Sequence, residues 1–149
     1  ETGALLAGEM SGHVCFADNY FGFDDAIFAA GRILQIVAQS SMKVSEMLAD
    51  LPKTSYTPEI RIDCPDDKKF EIVRELTETF RSQYEVIDID GVRIDFDDGW
   101  ALIRASNTQP VIVLRFEANN EARLLKLVSI VKEKMDHYQP IVDFNYSIC

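Results

Sequence analysis

Seven consecutive residues, Arg104-Ala105-Ser106-Asn107-Thr108-Gln109-Pro110, put one guanidinium, two hydroxyls, side-chain amide and backbone N–H groups into one short stretch with no acid. Donors at that density suit an anion with several oxygens, and phosphate is the commonest such ligand. Arginine offers a planar fork that matches two phosphate oxygens. Each charge-assisted hydrogen bond of that kind is worth roughly 1.5–3 kcal/mol. The competing reading is a turn that is polar because turns favour Ser, Asn and Thr.

A second stretch, Gly8-Glu9-Met10-Ser11-Gly12-His13, sets a carboxylate, a hydroxyl and an imidazole between two glycines. Glycines allow a tight turn and close approach to a ligand. Glu9 accepts hydrogen bonds and Ser11 both donates and accepts, which is what sugar hydroxyls require. His13 can move a proton near neutral pH. The alternative is a glycine-bracketed turn carrying a surface histidine. No Gly-Lys-Ser/Thr ending follows, so this is not a Walker loop.

The elements that must hold these stretches follow from periodicity. Trp100–Ile103 and Val111–Phe116 flank the first stretch as apolar runs and read as strands, so the donor-rich loop is pinned at both ends by a sheet. Ile60, Ile62 and Cys64 alternate with Arg61 and Asp63 as another strand. Pro65-Asp66-Asp67 opens a helix with Phe70, Val73, Leu76, Thr77 and Phe80 inward. Tyr84–Ile89 and Val92–Phe96 are strands joined at Asp90-Gly91, a hairpin signal. Asn119 or Asn120 caps a last helix with the stripe Leu124, Leu127, Val128, Val131 and Met135. Val142, Phe144, Tyr146 and Ile148 alternate with polar residues in a tail whose pattern is that of a strand without an evident partner.

Before Pro52 the chain reads differently. Ala4–Ala7 is a short buried strand and Val14–Phe16 a second. A helix capped by Asp24 or Asp25 buries Ile27, Ala30, Leu34, Val37 and Ala38, and Val44–Leu51 is a short second helix. Residues 52–58, with two prolines, form the expected linker. The expected domains are therefore residues 1–51, a hinge at 52–58, a domain at 59–138 and a tail at 139–149. The fold class is α+β: a mainly antiparallel four- to five-stranded sheet with two helices on one face, preceded by a helical remnant of an α/β domain.

The composition excludes some partners. A net charge of −10 over 149 residues argues against nucleic acid and anionic membranes, which need a basic face. Cys15, Cys64 and Cys149 have neither metal spacing nor disulfide density, as in a reduced, cytoplasmic protein. Asp95, Asp97 and Asp98 lack the later ligands of a calcium loop and read as an acidic turn. Arg115 either faces the loop as a second cation or, the favoured reading, pairs with a carboxylate such as Glu117; Trp100 is expected to lie in the core, and His137 to sit near a helix C-terminus. The opening at Glu1 without Met suggests an excised piece of a longer protein, with its apolar N-terminal segment disordered or packed on a neighbour.

Both chemical stretches resemble signatures of the α-D-phosphohexomutases. Residues 8–13 resemble the sugar-binding loop, and Arg104–Pro110 with the strand to Ala118 resembles the phosphate-binding loop. Tyr20-Phe21-Gly22-Phe23-Asp24-Asp25-Ala26 fits the bacterial phosphomannomutase/phosphoglucomutase branch, and Met10 and Asn107 favour that hexose branch. The resemblance implies the end of a third, sugar-reading domain and a fourth, phosphate-gripping one. The full enzyme would interconvert hexose 1-phosphate and 6-phosphate through a 1,6-bisphosphate. Glu9 and Ser11 would hold sugar hydroxyls. His13 would assist proton transfer or orient the substrate. Arg104, Ser106, Asn107 and Thr108 would bind the phosphate not being transferred. A phosphoserine loop and a Mg²⁺ loop are expected in upstream domains of the same chain, and neither motif occurs here, so the fragment alone should be inactive. Glucose or mannose 1,6-bisphosphate is the expected activator and a phosphosugar the expected substrate. The alternative from another class is a non-catalytic α+β module that binds a phosphorylated or anionic ligand. A third is a regulatory domain whose sheet face binds protein.

Overall fold

The computed structural model describes residues 3–9 and 11–145. The chain divides into two compact units, Glu1–Leu51 and Pro52–Cys149. Met10, Tyr146, Ile148 and Cys149 lie outside the described residues.

In the first unit, β1 (Leu6–Gly8) pairs antiparallel with β2 (Val14–Phe16), Leu6 opposite Phe16 and Gly8 opposite Val14. The first strand was expected at Ala4–Ala7 and buried; it starts later and is exposed, with Leu5 and Leu6 both more than half open. Helix α1 (Ala26–Gln39) begins where Asp25 accepts hydrogen bonds from the Ile27 and Phe28 N–H groups at 3.0 and 2.9 Å. Asp25, not Asp24, is the cap. The expected inward stripe is wrong for most of its length: Ile27 and Leu34 are exposed, and Ala29 is the buried residue. Ile33 and Ile36 are also exposed, so α1 is apolar on nearly every side and periodicity alone could not select a face. Its covered side meets an aromatic cluster in which Tyr20 stacks on Phe28 at 3.7 Å and Phe16 meets Phe28 edge-on at 5.6 Å. Val44–Leu51 is no α-helix. It is one 3₁₀ turn, Val44–Glu46, continued by irregular turns.

The second unit is one sheet with helices on one face. Its strands are β3 (Ser55–Tyr56), β4 (Ile60–Asp63), β5 (Glu85–Ile87), β6 (Val92–Phe96), β7 (Gly99–Ala105) and β8 (Val111–Ala118). The order is β3-β8-β7-β6-β5, β4 also pairs with β8, and every pairing is antiparallel. The sixth strand, β3, lies inside the segment expected to be a bare linker. Thr57 next to it is buried; its backbone N–H donates to the Phe116 carbonyl at 3.0 Å, and its hydroxyl accepts from Phe116 N–H at 3.1 Å.

Helices α2 (Asp66–Arg81) and α3 (Glu121–Met135) pack on the sheet face that carries Ile60, Ile62, Val92, Ile94, Phe96, Ala101, Ile103, Ile112, Leu114 and Phe116. Each fully buried residue of this kind contributes about 1.5–3 kcal/mol. The α3 stripe is buried as expected, and Asn120 is the cap, accepting from Arg123 N–H at 2.9 Å. On α2, Phe70 is exposed while Ile72 and Lys69 are buried instead. Val142 and Phe144 join the core without forming a strand, so their alternation reports burial and not pairing. The β5–β6 connection at 88–91 is longer than a two-residue turn; Gly91 there has φ +76°, a conformation other residues avoid.

Candidate functional site

The strand pattern places the donor-rich loop. Core residues Ala101, Ile103 and Ala105 alternate along β7 with Trp100, Leu102 and Arg104, so Arg104 projects from the face that no helix covers. Pairing ends at Ala105 opposite Ile112, and the chain turns through residues 106–110. Ser106 N–H donates to the Val111 carbonyl at 3.0 Å, and Val111 N–H to that of Gln109 at 2.8 Å. The Ser106 hydroxyl is buried and accepts from the Thr108 and Gln109 N–H groups at 3.3 and 3.2 Å. It therefore fixes the turn from inside, and its own O–H makes no hydrogen bond to the described residues. Asn107 and Thr108 side chains are exposed and make no hydrogen bond to the described residues.

Four further cations belong to this face or loop, Lys69, Arg61, Arg93 and Arg115, and the sequence reading singled out neither Lys69 nor Arg61. Lys69, 3% exposed, donates to the Gln109 carbonyl at 2.8 Å and to Asp66 at 2.5 Å. Arg61 donates to Glu59 at 2.5 Å and to the side-chain carbonyl of Gln109. Gln109 is thus clasped from the start of α2 and from β4. Only long-range pairing reveals this: β4 and β8 run side by side with Arg61 opposite Val113, which is opposite Arg104 on its other side.

Arg115 lies on the same uncovered face, opposite Leu102 and so diagonal to Arg104 across the β7–β8 pair, within reach of long side chains. The ion pair with Glu117 does not form; Glu117 accepts from the Thr54 hydroxyl at 2.7 Å instead. The Arg115 Nε is buried and has no hydrogen-bond partner. Arg104 pairs with Asp90 at 3.1 Å, Arg93 with Asp95 at 3.3 Å and Arg61 with Glu59, so Arg115 alone among these four has no carboxylate. Asp90, read from sequence as a solvated turn charge, therefore touches the principal cation of the loop. Asp88 likewise pairs with Arg81 at 2.5 Å, which holds its carboxyl below the usual range. Trp100 is not core: it lies half-buried on this outer face, with the Arg93 guanidinium 5.3 Å from its ring centre.

The glycine-bracketed stretch of the first unit is the β1–β2 hairpin loop. Glu9 N–H donates to the His13 carbonyl at 2.8 Å, Gly12 N–H to the Glu9 carbonyl at 3.0 Å, and Gly12 takes φ +91°. The Ser11 hydroxyl donates to the Glu9 carboxylate at 3.0 Å, so these two residues stand together and exposed. His13 Nδ1 lies 2.5 Å from Asp24 Oδ2. That hydrogen bond, with the Asp24 charge, raises the imidazole pKa above its ordinary value.

Other acidic groups serve structural contacts. Asp98 accepts from Arg123 Nε at 2.6 Å at the β6–β7 turn. Among the described residues no three carboxylate, imidazole or thiol groups converge to hold a metal ion. His137 Nδ1 reaches the Glu133 and Lys134 carbonyls at the end of α3, as expected. A groove of about 380 Å³ is lined by Arg81, Tyr84, Glu85, Val86, Ile87 and Asp95; it includes no residue of the donor-rich loop. No helix among the described residues is long and apolar enough to cross a membrane.

The second unit presents a donor-rich loop on its sheet, and the first a hairpin loop that carries Glu9, Ser11 and His13. The family model described as phosphoglucomutase/phosphomannomutase, C-terminal domain, matches residues 59–134, and that for the alpha/beta/alpha domain III of the same enzymes matches residues 1–55. The chain belongs to the phosphoglucomutase/phosphomannomutase family. It is 44% identical over 136 residues to a phosphomannomutase/phosphoglucomutase of Pseudomonas aeruginosa, covering 91% of this chain and 29% of that protein. It is 45% identical over 130 residues to a phosphoglucomutase of Neisseria gonorrhoeae, covering 85% of this chain and 28% of that protein. Among solved structures, a phosphoglucomutase/phosphomannomutase family protein of Burkholderia thailandensis superposes with a TM-score of 0.78 at 36% identity, over 97% of this chain and 31% of the other. The chain thus spans less than a third of the length of the curated relatives it matches.

Proposed function

We propose that this chain is the substrate-binding C-terminal portion of a phosphohexomutase that interconverts hexose 1-phosphate and hexose 6-phosphate, of glucose or mannose, through a 1,6-bisphosphate. The observation that carries the reading is the loop at Arg104–Thr108. It offers a guanidinium, hydroxyls and an amide on the uncovered face of a rigid sheet, with no acid within the loop itself. In this reading Arg104, Ser106, Asn107 and Thr108 bind the phosphate that is not being transferred, and the uncompensated Arg115 adds positive potential on the same face.

A mutase must accept its bisphosphate in either direction. A site of neutral donors around arginine makes no demand on the sugar and so serves the 1- and the 6-phosphate alike. Glu9 and Ser11 take the complementary task of reading hydroxyls, and His13 exchanges a proton with the reacting oxygen or orients it. The separate sugar-type loop favours the enzyme over a plain anion-binding module, which has no use for Glu9, Ser11 and His13. Further domains of the same protein supply the phosphoryl donor, and the hinge between the two units lies in the stretch before β3, because Ser55–Thr57 belong to the second unit's sheet.

The test is Arg104→Ala in the full-length protein with hexose 1-phosphate as substrate. Loss of one charge-assisted phosphate contact should lower kcat/KM by roughly 10- to 150-fold, with the fold intact by circular dichroism. An unchanged kcat/KM would overturn the assignment of the loop.

A further inference from the structure

We propose that Asp24 is the positioning residue for His13: its carboxylate holds the imidazole proton on Nδ1 and so leaves Nε2 as the atom that exchanges a proton with a sugar hydroxyl. The proposal rests on reading the 8–13 hairpin as a sugar-binding loop.

Four observations carry it. The Nδ1–Oδ2 separation is 2.5 Å, a charge-assisted hydrogen bond in length. Asp24 is fixed at both ends of its backbone: it bridges Cys15 in β2, and Asp25, the next residue, caps α1. Because Asp25 does the capping, with Tyr20 O–H donating to its other oxygen at 2.5 Å, the Asp24 carboxylate is left to the imidazole. His13 is fixed on its own side too, since its carbonyl accepts Glu9 N–H across the loop. Two adjacent aspartates thus divide two tasks, one to the helix and one to the ring.

The chemistry follows from which nitrogen bears the proton. With Nδ1–H donated to Asp24, the Nε2 lone pair points away from the carboxylate. It can take a proton from a hydroxyl: an Nε2–H bond forms, the O–H bond breaks, and the electron pair stays on oxygen as nucleophile. The reverse step returns the proton. The imidazolium formed in between is favoured chiefly by Asp24 and to a lesser extent by the Glu9 charge, while some loss of hydration opposes it. The carboxylate therefore both selects the tautomer and strengthens the base.

Imidazole ¹⁵N spectra of this chain across pH test the assignment directly. Above its titration, native His13 should show a protonated Nδ1 and an unprotonated Nε2. In Asp24→Ala the proton should move to Nε2 and the titration should fall toward 6.5, the ordinary value. A native ring protonated on Nε2, or spectra unchanged in Asp24→Ala, overturns the proposal whatever the enzyme does. In the full-length enzyme, Asp24→Asn should lower kcat about tenfold or more while KM stays within about twofold, and should move the acidic limb of the pH profile to lower pH. Asp24→Glu should restore part of the loss. A purely structural role would reduce the folded fraction and leave the limb in place, which overturns the proposal. Correct tautomer control together with undiminished turnover in His13→Ala would instead overturn the reading of the loop, and the proposal with it.

Discussion

Replacing Gly91 by alanine should weaken the second unit by about 2–5 kcal/mol and disturb the phosphate loop at the same time. The number has two parts. Gly91 has φ +76°, and an L-residue in the left-handed region costs roughly 1–2 kcal/mol. The new Cβ would also press on the Ile103 carbonyl oxygen and stand 2.5 and 2.7 Å from Arg104 Cβ and Cα. Those are backbone or near-backbone atoms of β7, a strand paired on both sides, so neither can rotate away. Forcing such an overlap typically costs another 1–3 kcal/mol. Urea unfolding followed by fluorescence of the single tryptophan, Trp100, reads the sheet directly. The midpoint should fall by roughly 1 M or more with an unchanged slope. Since the displaced atoms belong to Arg104, phosphate affinity should fall in the still-folded variant as well. A midpoint within about 0.3 M of the native one would show that the β5–β6 connection yields freely, and would refute the claim that it braces Arg104.

Thr57→Val keeps the shape of the side chain but removes the acceptor of the buried Phe116 N–H; unfolding should become easier by about 1–3 kcal/mol, and the Phe116 amide should exchange faster with solvent. Lys69→Met removes the ammonium that holds the Gln109 carbonyl; amide resonances of residues 106–110 should broaden or shift while those of α3 stay in place, and an unperturbed loop would show that Ser106 and Arg61 fix it without Lys69. For His13 the sign of the pH effect is set by its raised pKa: the Asp24 pair contributes to the stability of the first unit fully below about 6.5 and loses that contribution as pH rises through the folded value, measurable as a lower melting temperature of this unit in alkali.

The second unit was legible where one face of an element is apolar and the other is not. Leu124, Leu127, Val128, Val131 and Met135 repeat at helical spacing among charges, and all five are buried. The alternation of Ile60, Ile62 and Cys64 with Arg61 and Asp63 likewise marked the buried face of β4, whereas β7 and β8 read only as apolar runs, and Trp100, expected in the core, shares the outer face with Arg104. The first unit was misread for the opposite reason. Helix α1 carries Ile27, Ile33, Leu34 and Ile36 around its circumference, so no spacing distinguishes the covered side. Phe70 misled because it falls near the α2 stripe, yet the stripe turns through Lys69 and Ile72.

At the candidate site the local motifs were visible and their supports were not. Lys69 lies 40 positions before Gln109, Asp90 lies 14 before Arg104, and Asp24 lies 11 after His13. Each contact depends on strand register or on a helix start, which adjacent residue types do not encode. Arg115 and Glu117 occupy one face, which suggests a pair; in the sheet Glu117 accepts from Thr54, 63 positions away in sequence.

The account turns on whether residues 104–108 hold phosphate. The measurement is a titration of the isotope-labelled chain with glucose 1,6-bisphosphate, following backbone amide shifts in the native protein and in Arg104→Ala. The account predicts saturable shifts centred on Arg104, Ser106, Asn107 and Thr108, absent in the variant and weakened by salt. Shifts located elsewhere, or shifts at the loop that survive Arg104→Ala unchanged, would contradict it.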